Sequence, residues 1–251
     1  MPRFRLMLLL LLALLLALAA FPLGGCTPKE PLDLRIPWQN RELSVLDIKQ
    51  NGELVLVNEL LVEQAGDDLL CTVEHLLVDY PAVQKFYLDP VTLVPRRTEY
   101  EATTPAGVRH LRATYGEKEV EIEKETDEGT VRDTVRLPAK PYFDNDQFLF
   151  LVRALPLEEA WRGSVNLVVT STARKVAVGL EGKDRETVTV PAGTFDTYVV
   201  ELKHINQFAW VTVEPPHQLV KFENRNAGTV AELVEFYPTG RGIKTEDNPE
   251  E

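Results

Sequence analysis

Apolar and polar residues alternate one by one through most of residues 38–238. A period of two places successive side chains on opposite faces of a strand, so it predicts strands that are buried on one face. Turn-forming residues interrupt the pattern at short intervals, which is typical of antiparallel sheets. We therefore expect one all-β domain over residues 38–238, a mainly antiparallel curved sheet or half-barrel.

Two of the turns follow from local sequence. Asn51-Gly52 is a preferred pair for a two-residue hairpin turn with positive φ, and this turn would place Ile48 opposite Val55. At Pro191–Gly193 the proline sets φ for the first corner, and the glycine can adopt a left-handed conformation. Both segments are therefore predicted to connect neighbouring antiparallel strands.

A third hairpin is rich in charge. A two-residue loop at Glu128-Gly129 would place Val120 opposite Leu137 on an apolar face. The opposite face would then carry a row of acidic residues that arginines partly offset, namely Glu119, Glu121, Glu123 and Glu125. We interpret this row as a solvated outer face, because catalytic carboxylates need a cleft that shifts their pKa.

One segment departs from the period of two. Asp144 is a plausible N-cap, and Pro156 would stop a helix shortly afterwards. Four apolar residues between them share one helical face: Phe148, Leu151, Val152 and Leu155. The sequence therefore predicts one short helix packed on the sheet.

The N-terminus has the three parts of an export signal. Arg3 and Arg5 precede an apolar run over residues 6–21, and small residues follow. The tetrapeptide Leu23-Gly24-Gly25-Cys26 resembles the lipobox of bacterial lipoproteins. This resemblance implies cleavage after residue 25 and lipidation of Cys26. An uncleaved membrane anchor is the alternative, although its 16 apolar residues are short for a span.

Both alternatives place the rest of the chain outside the cytoplasm. The protein is expected at the outer face of the plasma membrane, or on the periplasmic side of an outer membrane, held there by its lipid anchor. Residues 26–37 contain three prolines and are predicted to form the lipidated cysteine and a tether. Residues 239–251 are polar and acidic, which predicts a disordered tail.

Charge and cysteine content narrow the possible partners. The formal net charge is −12, and removal of residues 1–25, which carry two arginines and no acid, lowers it to −14. Such a domain lacks the basic surface that nucleic acid requires. Once Cys26 is lipidated, Cys71 is the remaining thiol, so an intramolecular disulfide is excluded and a buried core position is expected.

The sequence shows no motif for enzymatic chemistry. Neither a glycine-rich phosphate loop nor a serine-hydrolase elbow is present, and the four histidines lack metal-ligand spacing. Asp144 and Asp146 resemble the start of a calcium loop but lack its glycine and distal glutamate. We therefore predict no catalytic residue, no metal and no cofactor. A hydrolase would need a buried histidine–carboxylate pair that the sequence does not reveal.

Two short motifs carry a family resemblance. They are Arg153–Leu157, read as Arg-x-Leu-Pro-Leu, and Pro191–Phe195, read as Pro-Ala-Gly-Thr-Phe. Together they resemble an uncharacterised family of bacterial envelope proteins. The overall pattern is similar to the half-barrel carriers that transport lipoproteins, in which a helix lies over the concave face of a curved sheet. This likeness concerns the fold and implies no specific activity.

The resulting hypothesis is a non-enzymatic, membrane-anchored envelope lipoprotein that binds an apolar ligand or a lipidated partner in a half-barrel. The candidate lining combines the helix face with two tryptophans: Phe148, Leu151, Val152, Leu155, Trp161 and Trp210. The alternative is a structural or assembly lipoprotein that binds another envelope protein through a sheet edge. The oligomeric state and the ligand are not indicated by the sequence.

Overall fold

The computed structural model describes residues 32–39, 41–76, 80–105, 107–126, 129–137, 141–158 and 160–240. The predicted signal and lipobox, including Leu23, Gly24, Gly25 and Cys26, lie outside the described residues. So do residues 241–251 of the predicted tail.

Within the described ranges, fifteen strands form one sheet. In chain order they are β1 (Glu42–Gln50), β2 (Glu53–Ala65), β3 (Asp68–Leu76), β4 (Ala82–Leu88), β5 (Pro95–Thr104), β6 (Gly107–Tyr115), β7 (Glu119–Thr126), β8 (Gly129–Arg136), β9 (Phe143–Asp144), β10 (Arg162–Val169), β11 (Arg174–Val190), β12 (Gly193–Leu202), β13 (Gln207–Thr212), β14 (Leu219–Asn224) and β15 (Thr229–Tyr237). Nearly every strand is hydrogen-bonded to its neighbours in sequence, and β1 also pairs with β15. Among these described strands, only the β9–β10 pair is parallel.

The sheet is curved and does not close, because β8 and β9 stand at its two ends. Side chains, rather than a backbone ladder, bring these ends together. Lys124 Nζ donates to the carbonyl of Ser171 at 3.1 Å, and Lys175 Nζ donates to the carbonyl of Arg136 at 3.0 Å. The predicted all-β half-barrel with one short helix is confirmed.

The predicted helix is present but shorter than the pattern indicated. It consists of α1 (Phe148–Leu151) and a 3-10 turn over Val152–Ala154. Leu155 is extended, with φ −67° and ψ 151°, because the proline that follows disfavours helical geometry. The predicted N-cap is wrong: Asp144 lies in β9, where pairing with β10 extends its backbone, and Gln147 occupies the N-cap position.

The hairpin turns were predicted more accurately than their registers. Asn51 and Gly52 have positive φ as expected, but Ile48 faces Leu56 instead of Val55. A bulge between Ile48 and Lys49 causes the shift. Consecutive apolar residues in β2 satisfy the core in either register, so the pattern could not locate this bulge.

The charged hairpin, formed by β7 and β8, is displaced by two residues from its predicted register. Val120 faces Val135 instead of Leu137, and Thr126 pairs with Gly129. A shift of two keeps every side chain on its predicted face, so the acidic row is exposed as expected. The turn at Pro191–Gly193 is confirmed, because Val190 pairs with Gly193, whose φ is 141°.

Part of the predicted tether belongs to the folded domain. Leu32, Leu34 and Ile36 pack against the main hydrophobic core, and the backbone N–H of Arg35 donates to the carbonyl of Ala154 at 2.7 Å. The domain therefore begins at least six residues earlier than position 38. Among the described residues, no helix is both long and apolar enough to cross a membrane.

A buried ion pair lies next to this linker and joins the turn after α1 to the start of β1. The guanidinium of Arg153, which is 4% exposed, pairs with the carboxylate of Glu42 at the start of β1. It also donates to the carbonyls of His217 at 2.9 Å and Pro216 at 3.1 Å, and it lies over the Trp38 ring. Arg153, the first residue of the Arg-x-Leu-Pro-Leu motif, thus has a structural role.

Arg153→Met should lower the free energy of unfolding by roughly 3–5 kcal/mol, because it leaves the Glu42 carboxylate buried without its partner. Denaturant unfolding of both proteins measures the difference. Arg162→Met is the matched control, since Arg162 pairs with Glu181 while its own side chain is 79% exposed. This control should cost at most about 1 kcal/mol. Equal losses in the two variants would contradict the structural role of Arg153.

Candidate functional site

The interior of the half-barrel is filled by residues 148–155, which carry α1 and which we call the α1 segment. The four predicted lining residues of this segment, Phe148, Leu151, Val152 and Leu155, are only 0–4% exposed and belong to the main core. Phe150 makes an edge-to-face contact with Phe86, with ring centroids 6.1 Å apart. These side chains therefore occupy the space that a preformed ligand cavity would need.

The two predicted tryptophans do not join this cluster as one lining. Trp161 packs at the margin of the core, with its ring over Gly163, where an added Cβ would lie 2.5 Å from the ring. Trp210 lies on the other face of β13, since the core residues Ala209 and Val211 flank it. Its Nε1 donates to Glu186 at 2.8 Å. Both faces of β13 are apolar, so alternation could not assign this tryptophan to a face.

A solvent-open hollow of about 350 Å³ lies beside Trp161. Arg162, Gly163, Gly179, Leu180, Glu181 and Lys203 line it. Glu181 is the centre of its electrostatics, because Lys183, Lys203 and Arg162 all pair with this carboxylate. Hydrogen bonds from Lys183 and Lys203 lower the pKa of Glu181 to about 2. The cations of this hollow are thus already engaged by carboxylates.

A polar cluster lies between β9, with the residues that follow it, and strands β4 and β6. Asp144 accepts hydrogen bonds from the Tyr115 hydroxyl at 2.8 Å and from the Asp146 backbone N–H at 3.0 Å. Gln84 donates to Asp146 at 3.2 Å, and Gln147 donates to the carbonyl of Leu93 at 2.7 Å. These bonds tie β9 and the segment after it to β4, β6 and the loop between β4 and β5.

The Asp144 carboxyl is fully buried, and this burial changes its acidity. Burial, followed by the negative charge of Asp146, raises the pKa of Asp144 to about 7. Burial and the adjacent Asp144 also raise the pKa of Tyr115 well above its usual value. The sequence drew attention to Asp144-Asn145-Asp146 because it resembles a calcium loop. Only the tertiary structure shows that this motif lies where β9 approaches β4 and β6.

The other residues that could take part in catalysis or metal binding are buried or make ordinary structural contacts. Cys71 is completely buried, as expected, and burial raises the pKa of its thiol. His75 Nδ1 lies 2.7 Å from the side-chain oxygen of Asn58, and burial lowers the pKa of this imidazole. His110 approaches Glu101 at 3.4 Å, but both side chains are largely exposed. Among the described residues, no cluster of three or more His, Cys, Asp or Glu could hold a metal ion.

The edge of β8 offers unpaired backbone. In the part of the chain that the structure describes, β8 pairs with β7 alone, and Gly129–Arg132 and Thr134 are exposed. The carbonyl of Arg136 faces away from β7, because it accepts the Lys175 ammonium. Backbone groups in a strand alternate in direction, so those of Thr130, Arg132 and Thr134 face the same free side.

Taken together, an unclosed antiparallel half-barrel, an interior filled by its own helical segment and a free terminal strand define the architecture. The chain belongs to the family described as "Protein of unknown function (DUF3108)", whose model matches residues 76–231, more than half of the chain. This family assignment is consistent with the predicted resemblance to uncharacterised bacterial proteins. No curated protein matches the chain.

Two solved structures are similar to the chain at low sequence identity. A β-barrel-like protein of the domain of unknown function DUF1849 from Brucella abortus is 8% identical, with a TM-score of 0.51 over 81% of this chain and 98% of that one. A protein with a YmcC-like fold from Bacteroides fragilis is 12% identical, with a TM-score of 0.31 over 82% and 99% of the two chains. The first comparison supports the fold and no function.

Asp144→Asn should stabilise the domain, relative to wild type, more at pH 8 than at pH 5. The folded pKa of Asp144, about 7, lies above the ordinary aspartate value of 3.8. Between these two pH values the unfolded chain loses the proton of Asp144, whereas the folded chain keeps it. The stability of the wild type therefore falls as the pH rises. Asparagine removes this dependence, so the difference between variant and wild type should grow by roughly 2–3 kcal/mol.

Denaturant unfolding at the two pH values measures this change. Asp67→Asn is the control, since Asp67 is exposed and its substitution should leave the pH dependence nearly as in the wild type. If the wild type and Asp144→Asn showed the same pH dependence, Asp144 would not be a buried carboxyl with a raised pKa.

Proposed function

We propose that the protein is a non-enzymatic envelope lipoprotein, held at a membrane surface by lipidated Cys26, that binds another envelope protein through the free edge of β8. The observation that carries the proposal is the contrast between this edge and the interior. The edge of β8 is exposed and paired on one side, whereas the interior is filled by buried side chains of the α1 segment.

An exposed edge strand binds an extended peptide by continuing the sheet. The outward N–H and C=O groups of Thr130, Arg132 and Thr134 can make the backbone hydrogen bonds, and alternate side chains can add specificity. Arg132 already pairs with Glu123 at 2.8 Å on the outer face, and Val131 is 44% exposed on the other. A partner segment would thus meet one apolar side chain among backbone groups that otherwise face solvent.

The interior supports ligand binding less well. An apolar ligand or a lipidated partner, the other expectation from the sequence, needs the space that Phe148, Leu151 and their neighbours fill. Their exclusion from water contributes roughly 1.5–3 kcal/mol per side chain, which a ligand would have to replace. The unclosed sheet leaves a route for such an exchange, but the edge of β8 requires no rearrangement.

The anchor follows from the lipobox-like tetrapeptide that ends at Cys26. A domain with a net charge near −14 gains little from electrostatic attraction to anionic lipid. Acyl chains instead contribute about 0.8 kcal/mol for each buried methylene, and two or more chains give stable attachment. Lipidation therefore accounts for membrane attachment without a basic surface.

Cys26→Ser should abolish acylation, because serine lacks the thiol that receives the lipid. Metabolic labelling with a fatty acid, followed by mass analysis of the purified protein, measures the change. The wild type should carry label and have lost residues 1–25, whereas the variant should be unlabelled. Cys71→Ser is the matched control, and it should retain labelling. Equal label in wild type and Cys26→Ser would contradict the anchor.

Thr134→Pro should weaken partner binding while the domain stays folded. Proline removes one outward N–H from the free edge, and edge strands tolerate proline where no ladder bond is lost. A photo-cross-linking residue at Thr130, introduced in the native host, should give a discrete adduct that Thr134→Pro reduces several-fold. Thr134→Val keeps the N–H group and should preserve the adduct.

The same cross-linker at Glu53, an exposed residue of β2, controls for random collisions. Denaturant unfolding of each purified variant shows whether the domain is intact. An adduct that forms equally from both positions, or that Thr134→Pro leaves unchanged in a folded protein, would refute the edge of β8 as the binding site.

A further inference from the structure

The linker that follows the predicted anchor is docked on the domain. Leu32, Leu34 and Ile36 pack against the core, and the Arg35 N–H bonds to the carbonyl of Ala154 at 2.7 Å. The Arg35 guanidinium also lies 3.6 Å from the carboxylate of Glu158. These contacts hold residues 32–36 at a fixed place on the surface of the domain. We call the surface formed by residues 32–36 and Glu158 the linker face.

Downstream contacts hold the linker at a defined end of the sheet. Trp38 Nε1 donates to Glu42 at 3.0 Å, and Arg153 lies over the Trp38 ring while it pairs with the same carboxylate. Glu42 is the first residue of β1. The linker therefore reaches the domain at the end of the sheet where β1 begins.

The chain between anchor and linker is short. If Cys26 carries the lipid, as the proposed function states, only residues 27–31 separate it from Leu32. Six residue-to-residue steps span at most about 20 Å even when fully extended. A compact domain of about 200 residues has a radius of gyration near 16 Å and is therefore roughly 40 Å across. The connection is too short for the domain to turn its far side to the bilayer.

We infer that the domain stands on the bilayer with the linker face toward the lipid headgroups. This inference rests on the proposed lipidation of Cys26. The headgroup surface of the anchoring membrane is thus the partner of the linker face. The acyl chains supply the binding energy, and the short docked connection supplies the orientation.

This orientation has a consequence for the edge of β8. Strands β1 to β8 are consecutive antiparallel neighbours, so the turn after β1, at Asn51-Gly52, lies at the same end of the sheet as the start of β8. A strand of eight or nine residues is roughly 25–30 Å long. Since β1 begins at the membrane end, the exposed Gly129–Arg132 of β8 face the aqueous side, where an envelope partner can reach them.

Two labelling positions test the orientation. Asp33 is exposed on the linker face, and Glu53 is exposed at the start of β2, near the opposite end of β1. Asp33→Cys and Glu53→Cys would each be prepared in the acylated protein and labelled with a fluorophore, while the buried Cys71 stays unlabelled. After reconstitution into phosphatidylcholine vesicles, lipids with a nickel-chelating headgroup quench labels close to the bilayer surface. Quenching at position 33 should be several-fold stronger than at position 53.

A longer connection is the matched control. Twenty Gly/Ser residues inserted between Pro31 and Leu32 have an end-to-end distance of about 25 Å and should let the domain reorient. The difference between the two positions should then largely disappear. Equal quenching in the short-linker protein, or stronger quenching at position 53, would overturn the inferred orientation.

Vesicle flotation and mass analysis test the lipid anchor separately from the orientation of the domain. Acylated protein that floats with the vesicles but shows equal quenching refutes the orientation alone. Protein that carries no acyl group and does not float refutes the proposed anchor, and the orientation falls with it. Acylation together with preferential quenching at position 33 supports both.

Discussion

The buried ion pair between Arg153 and Glu42 is the constraint on which the rest of this structure depends. It joins the end of the α1 segment to the start of β1, and the same guanidinium holds the loop before β14 through two carbonyls. A buried pair adds little net stability over an apolar replacement, but the loss of one partner is costly. The pair thus connects the interior segment, the start of β1 and the loop before β14, next to the place where the linker docks.

The α1 segment completes a sheet that cannot complete itself. The two terminal strands lack a common backbone ladder, so the interior must be closed by side chains. Phe148, Phe150 and Leu151 supply the apolar filling, while Asp144 and Asp146 bond across to β6 and β4. Burial and the neighbouring carboxylate of Asp146 raise the pKa of Asp144, so the stability that this cluster contributes is expected to fall as the pH rises.

Because the interior is filled, the proposed binding sites lie on the surface. The exposed start of β8 and the docked linker lie at opposite ends of the strands, and we propose a different partner for each: an extended peptide for β8 and a bilayer for the linker. Membership of the family described as DUF3108 and the fold shared with the DUF1849 protein are compatible with this division but do not specify it. The assignment therefore rests on the exposed backbone of β8 and the short chain between Cys26 and Leu32.

The sequence by itself determined the elements whose signals are local. Period-two alternation, Asn51-Gly52, Pro191–Gly193 and the helical face around Leu151 each act within a few residues, so the sheet, two turns and the helix could be predicted. Tertiary structure decided what depends on distant partners: the bulge at Ile48, the outward face of Trp210 and the strand position of Asp144. Where both faces of a strand are apolar, alternation gives no direction, and only packing against the rest of the sheet selects one.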